Sequence, residues 1–100
     1  MVVAVAPGSG WTFLSNHGHV LVQLARSPDT TMRDVAREVG ITERAVQLIV
    51  RDLAAEGYIA VERVGRRNRY EVASAKRLRH PSEQDVTVGQ LLDLLATDRS

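Results

Sequence analysis

The sequence contains no cysteine, which excludes disulfide bonds and thiolate metal ligands. Its longest apolar stretch, residues 1–6, is far shorter than a membrane span, and no basic segment precedes it as one would in a signal peptide. The absence of cysteine fits a reducing compartment. We therefore expect a cytoplasmic protein with no membrane partner.

Motifs of catalysis and cofactor binding are also missing. The chain has no phosphate-binding glycine loop, no nucleophile motif and no paired-carboxylate signature. Two of its three histidines, His17 and His19, are two residues apart on a predicted helix and do not share a face, so a joint metal site there is not expected. The sequence predicts neither an enzyme nor a cofactor- or metal-binding protein.

The composition is that of one small globular domain, with 44% apolar and 25% charged residues in a chain of 100. A chain this short is marginally stable alone, so an oligomer is plausible. Its net charge is only +1, but the charge is unevenly distributed. Residues 63–79 carry seven basic side chains and one acidic one, whereas residues 81–100 carry four acidic and one basic. This asymmetry fits a polyanion-binding surface on one side, although solvated charged segments would give the same pattern.

The middle of the chain has the pattern of a helix-turn-helix. After a predicted helix at residues 16–26, Thr31 is positioned to cap a second helix, and Thr42 to cap a third helix over 43–56. Gly40 follows the second helix where a left-handed residue is needed, and Ala36 lies four residues earlier, where a small side chain allows close helix packing.

The third helix is expected to be amphipathic. Its apolar residues fall within about 100° on a helical wheel and face the core: Val46, Ile49, Val50 and Leu53. The opposite face carries Arg44, Gln47, Leu48 and Arg51. Arginine pairs with guanine edges and glutamine with adenine edges, so this face is a candidate for base contact. Ordinary solvent exposure is the alternative.

A basic β-hairpin is predicted over residues 58–72, with a turn at 65–68. Four arginines lie at or near its tip: Arg63, Arg66, Arg67 and Arg69. Their side chains would reach phosphates or a narrow minor groove.

The remaining segments divide the chain. Residues 1–10 are expected to be a flexible lead, 11–73 a winged helix-turn-helix domain, 74–86 a linker and 87–97 a C-terminal helix. That last helix has apolar residues on more than one face, and Val88, Leu91, Leu92 and Leu95 are predicted to form a dimer contact. Docking of the whole helix on the monomer core is the alternative.

Four segments carry a family resemblance: LSNHGHV at 14–20, VGITERAV at 39–46, GRRNRY at 65–70 and LRHP at 78–81. Over roughly residues 11–96 the chain resembles small winged helix-turn-helix transcriptional regulators of actinobacterial type, akin to the MarR and ArsR groupings. The resemblance implies a mainly α fold with a small β-hairpin and an extra C-terminal helix. It also implies that Thr42, Arg44, Gln47 and Arg51 enter the major groove while Arg66, Arg67 and Arg69 contact the backbone. Leu48 departs from the polar or basic residue usual at its position.

The function predicted from these features is sequence-specific binding of double-stranded DNA by a homodimeric transcriptional regulator. Helix 43–56 would lie in the major groove and hairpin 58–72 on the flanking backbone. A winged helix that binds another protein instead of DNA is the alternative, because the fold alone does not decide between them. The arginines around Gly65 favour DNA, since a protein-interaction module has no need of four of them.

Overall fold

The computed structural model describes residues 10–95, which form four α-helices and one two-stranded antiparallel sheet. The elements in chain order are α1 (Asn16–Arg26), α2 (Met32–Val39), α3 (Glu43–Ala55), β1 (Ile59–Val64), β2 (Arg67–Val72), a short 3-10 helix (Pro81–Glu83) and α4 (Val88–Leu95). The predicted mainly helical winged helix-turn-helix fold is confirmed. Residues 1–9 of the expected flexible lead, and residues 96–97 of the expected last helix, lie outside the described residues.

Each of the first three helices begins at a hydroxyl side chain. Ser15, Thr31 and Thr42 adopt extended backbone conformations and accept a hydrogen bond from the backbone amide three residues on, over 3.3, 3.1 and 3.0 Å. These contacts satisfy amides that have no partner within the helix. The helix starts therefore follow from local sequence.

The turn between α2 and α3 depends on Gly40. Its φ angle is +84°, in the left-handed region. In this conformation the amides of Gly40 and Ile41 both donate to the Ala36 carbonyl, over 2.8 and 3.0 Å. Ala36 is itself buried. The turn thus sets the direction in which α3 leaves α2.

One apolar core joins all four helices and the base of the sheet. The most deeply buried side chains are Val20 and Leu24 of α1, Val35 of α2, Val46 of α3 and Val88 of α4. Ile59 and Tyr70 extend the core into the hairpin. Because α3 contributes four buried residues from one side, its other side is left facing outward.

The segment 74–86 is folded onto the domain, which corrects its prediction as a linker. The Tyr58 hydroxyl donates to the Arg77 carbonyl over 2.7 Å, and the Leu78 amide donates to the Val86 carbonyl over 3.0 Å. Leu78 packs against the core. The segment therefore packs against the domain along its length, and its contacts fix the position at which α4 begins.

Helix α4 is part of the monomer core along one face. Val88 is fully buried and Leu92 is 8% exposed, so these two residues, predicted to contact a second copy, pack within their own chain instead. The Arg26 side chain donates to the Leu95 carbonyl over 2.6 Å, which ties the end of α4 to the end of α1. The outward residues of α4 are on a different face, where Leu94 is 83% exposed.

Candidate nucleic-acid interface

The outward face of α3 carries the four residues proposed for base contact. Arg44, Gln47, Leu48 and Arg51 are all exposed, and Leu48 has 41% of its surface accessible. At 100° per residue these side chains span about 100° of the helix, opposite the buried face. The structure therefore brings the sequence-predicted helix residues together on one surface.

The polar side chains on this face are only lightly held by the protein. Arg44 donates to the Gln47 side-chain oxygen at 3.5 Å, the limit of a hydrogen bond. Among residues 10–95, Arg51 makes no ion pair or hydrogen bond through its side chain. Thr42 uses its hydroxyl oxygen to accept from the Ala45 amide, which leaves its hydroxyl proton available as a donor. Most of the hydrogen-bond donors on this surface are therefore exposed to solvent and not bonded within the protein.

An ion pair links the start of α3 to α2. The Arg33 side chain lies 3.4 Å from the Glu43 carboxylate, and both side chains are more than half exposed. An exposed pair of this kind stabilises a protein by no more than about 1 kcal/mol. Because Glu43 is the first residue of α3, the ion pair connects the start of this helix to α2.

The hairpin closes with a tighter turn than the sequence predicted. Val64 pairs with Arg67, so Gly65 and Arg66 alone form the turn, and Asn68 lies within β2. Gly65 has a φ of +63°, whereas Arg66 has no positive φ. A positive angle at only the first turn residue is the pattern of a type II′ turn, which matches the twist of the strands. The turn leaves Arg66 at the very tip.

The four hairpin arginines have different surroundings. Arg66 has no side-chain ion pair or hydrogen-bond partner within the described part of the chain. The Arg63 side chain donates to the Gly65 carbonyl in the adjacent turn over 3.1 Å. Arg67 donates to the Asp29 carbonyl over 3.4 Å, and the Arg69 side chain lies 4.0 Å from the Asp29 carboxylate. Arg66 is therefore the most available cation of the hairpin.

Asp29 is a residue that the sequence analysis missed. It lies in the turn between α1 and α2, where the Pro28 carbonyl also accepts a hydrogen bond from the Tyr70 amide over 2.9 Å. These contacts anchor β2 to the start of the helix-turn-helix. The only local signal was a turn composition, Ser27-Pro-Asp-Thr30. No short-range pattern pairs that turn with a strand 38 residues later.

A second contact that the sequence did not predict joins α3 to α1. The His17 ring nitrogen Nε2 lies 2.8 Å from the Asp52 carboxylate and links α1 to the last turns of α3. No local sequence pattern indicates this contact, because the two residues are 35 positions apart. Both side chains are about half exposed, so the pair joins the two helices with only a small contribution to stability.

Within residues 10–95, no three histidine or carboxylate side chains are grouped so that they could share a metal ion. None of the helices in the described part of the chain is long and apolar enough to cross a membrane.

A helix-turn-helix followed directly by a basic β-hairpin defines the winged helix class of nucleic-acid-binding domains. A sequence profile of the MarR family matches residues 11–69, more than half of the chain, and the chain belongs to the MarR family. The family consists of DNA-binding transcription regulators rather than enzymes, and its members usually act as dimers. No curated protein matches the chain significantly.

Proposed function

We propose that this protein reads a specific sequence in double-stranded DNA by inserting α3 into the major groove and placing the hairpin on the flanking backbone. The observation that carries the proposal is the outward face of α3, where Arg44, Gln47 and Arg51 are exposed and weakly paired. Donors that are not engaged within the protein are free to bind base edges without first breaking internal contacts.

The residue types on this face match the hydrogen-bond pattern of the major groove. Arginine can donate two parallel hydrogen bonds to guanine, and glutamine can both donate to and accept from adenine. Arg51 follows Arg44 by seven residues, which is about two helical turns, so both lie on the same side of α3. The face therefore supports contact with more than one base pair.

The hairpin supplies the sequence-independent part of the binding in this proposal. Arg66 projects from the tip without a partner in the described chain, and Arg67 and Arg69 lie behind it beside Asp29. Phosphate contacts from such side chains fix the position of a protein on DNA and make binding sensitive to salt. Arg63 is a weaker candidate because it already donates to the Gly65 carbonyl.

We further propose that the functional unit is a homodimer. Because Val88 and Leu92 are buried within the chain, the contact would use the exposed Leu94 and the partly buried Leu91 and Leu95 of α4, together with Phe13. Phe13 is 95% exposed, an unusual state for a large aromatic residue, and it lines one groove with Leu91. Members of the family usually act as dimers, which supports a second copy of the chain as the partner that covers this surface.

The direct test is selection of bound sequences from a random duplex library, followed by salt-dependent binding to the selected duplex. We expect paired half-sites separated by about one helical turn, about 10 base pairs. Arg51→Ala should then weaken binding to the selected duplex by about 1–3 kcal/mol and have a smaller effect on random DNA.

A matched control for this experiment is Arg79→Ala, which removes the same charge from the 74–86 segment, outside the outward face of α3 and outside the hairpin. This control should leave the ratio of specific to random affinity unchanged. Equal losses on both DNAs for Arg51→Ala would contradict base reading by α3, and failure to enrich any sequence would contradict specific binding altogether.

A further inference from the structure

Leu48 is a large apolar residue on an exposed helix face that otherwise carries mainly polar and charged side chains. Within the described chain, it is the only exposed large apolar residue on the helix-turn-helix; the others lie on the N-terminal segment, the hairpin, the 74–86 segment or α4. Its neighbours on the outward face of α3 are two arginines and a glutamine. The other apolar residue of this face, Ala55, is small and lies about two turns away along the helix.

The position of Leu48 rules out a role in the core. On the helical wheel it lies about 40° from Arg44 and about 140° from Leu53, a buried residue of α3. With 41% of its surface accessible, it remains in contact with water in the free protein. Its apolar surface is therefore available to a ligand.

The major groove of DNA offers one apolar group among the four standard bases, the C5-methyl group of thymine. Leu48 lies between two candidate guanine-binding residues, about 6 Å along the helix axis from Arg44 and about 4.5 Å from Arg51. Successive base pairs are separated by about 3.4 Å. An apolar contact made by Leu48 would thus fall within one or two base pairs of an arginine contact.

We infer that Leu48 is a specificity-determining residue that selects thymine through its methyl group, next to guanine in the recognised half-site. The inference rests on the proposed placement of α3 in the major groove. It adds a prediction that hydrogen bonding alone does not make. The protein should distinguish thymine from uracil, which presents the same hydrogen-bonding groups and lacks only the methyl.

The experiment uses the full chain and the duplex selected from the random library. Each thymine is replaced in turn by deoxyuridine, and binding of the wild-type protein and of Leu48→Ala is measured at one fixed salt concentration. For the wild type we expect one replacement per half-site, within two base pairs of a guanine, to weaken binding by about fourfold, the equivalent of one buried methyl group. Leu48→Ala should bind the thymine and deoxyuridine duplexes equally at that position.

Val86→Ala is the matched control, since Val86 is an exposed apolar residue outside α3. It should keep the wild-type sensitivity to deoxyuridine. Circular dichroism of each variant verifies that the fold is retained, as expected for exposed positions.

The outcomes separate this inference from the proposed function. If the wild type binds its selected sequence but no deoxyuridine replacement weakens binding, the thymine-reading role is overturned while specific DNA binding stands. The role is also overturned if Leu48→Ala retains the sensitivity, because another residue would then contact the methyl. If no sequence is enriched at all, both proposals fail together.

Discussion

At Gly40 a single backbone angle decides how the two helices of the helix-turn-helix meet. The residue has a φ of +84°, and no atom beyond its two chain neighbours lies within 4 Å of the position that a Cβ would occupy. A side chain would therefore be opposed by backbone strain alone and not by a steric clash with a neighbour. The adjacent hydrogen bonds to the Ala36 carbonyl require this same angle.

We expect Gly40→Ala to lower the free energy of unfolding by about 1 kcal/mol or somewhat more, because alanine is strained in the left-handed region. Gly40→Asn is the matched variant, since asparagine tolerates that region better, and it should lose less. Chemical denaturation followed by circular dichroism measures both. Equal stability of all three proteins would show that the turn relaxes to another conformation.

The hairpin contributes little to the core for its length. Only Ile59 and Tyr70 of its two strands are buried. It is held to the domain by the Tyr70 contact with Pro28 and, nearer the turn, by the contacts of Arg67 and Arg69 with Asp29. The tip, by contrast, projects with its Arg66 side chain unpaired in the described chain. In the proposed function, Arg66 at the tip contacts DNA while the strands behind it anchor the hairpin to the domain.

For this element we predict that Arg66→Ala weakens binding to specific and random DNA alike. It should reduce the slope of log affinity against log salt by about 0.9, the value for one lost phosphate contact. Titrations at several salt concentrations measure the slope. Arg79→Ala removes an equal charge elsewhere and should leave it unchanged. A slope for Arg66→Ala equal to that of the wild type would remove the hairpin tip from the interface.

At the scale of the whole molecule, α4 has one face in the core and one exposed face. Val88 and Leu92 complete the core, while Leu94 on the other side is almost fully exposed. The exposed aromatic pair of Trp11 and Phe13, with ring centroids 5.3 Å apart, adds further uncovered apolar surface before α1. A second copy that covers such surface would also bring two recognition helices to one DNA site.

We expect Leu94→Asp to yield a folded single chain. Leu94 is 83% exposed in the protomer, so a carboxylate there is solvated unless an interface buries it. Light scattering should give the mass of two chains for the wild type and of one chain for the variant, whose affinity for paired half-sites should also fall. Val64→Asp, an equally polar change at an exposed valine of the hairpin, should leave the mass unchanged. A wild-type mass of one chain at micromolar concentration would contradict the dimer.

The sequence by itself determined the helix starts, the turn at Gly40, the hairpin and the outward face of α3. Each of these is set by interactions between residues no more than about four positions apart, or by the period of the helix, both of which are visible in the order of residues. The confirmed winged helix-turn-helix fold and MarR membership followed from those local signals.

Only the tertiary structure decided which side chains are already engaged. It placed Asp29 beside Arg67 and Arg69, joined His17 to Asp52, and put Val88 and Leu92 inside the core instead of on an outer surface. These contacts join residues 35, 38 and 69 positions apart, as in the pairs of His17 with Asp52, Arg67 with Asp29 and Arg26 with Leu95. Helical periodicity shows that α4 has more than one apolar face, but which face is buried depends on how α4 packs against α1 and is bonded to Ser74 and Lys76. Those contacts exist only once the chain has folded.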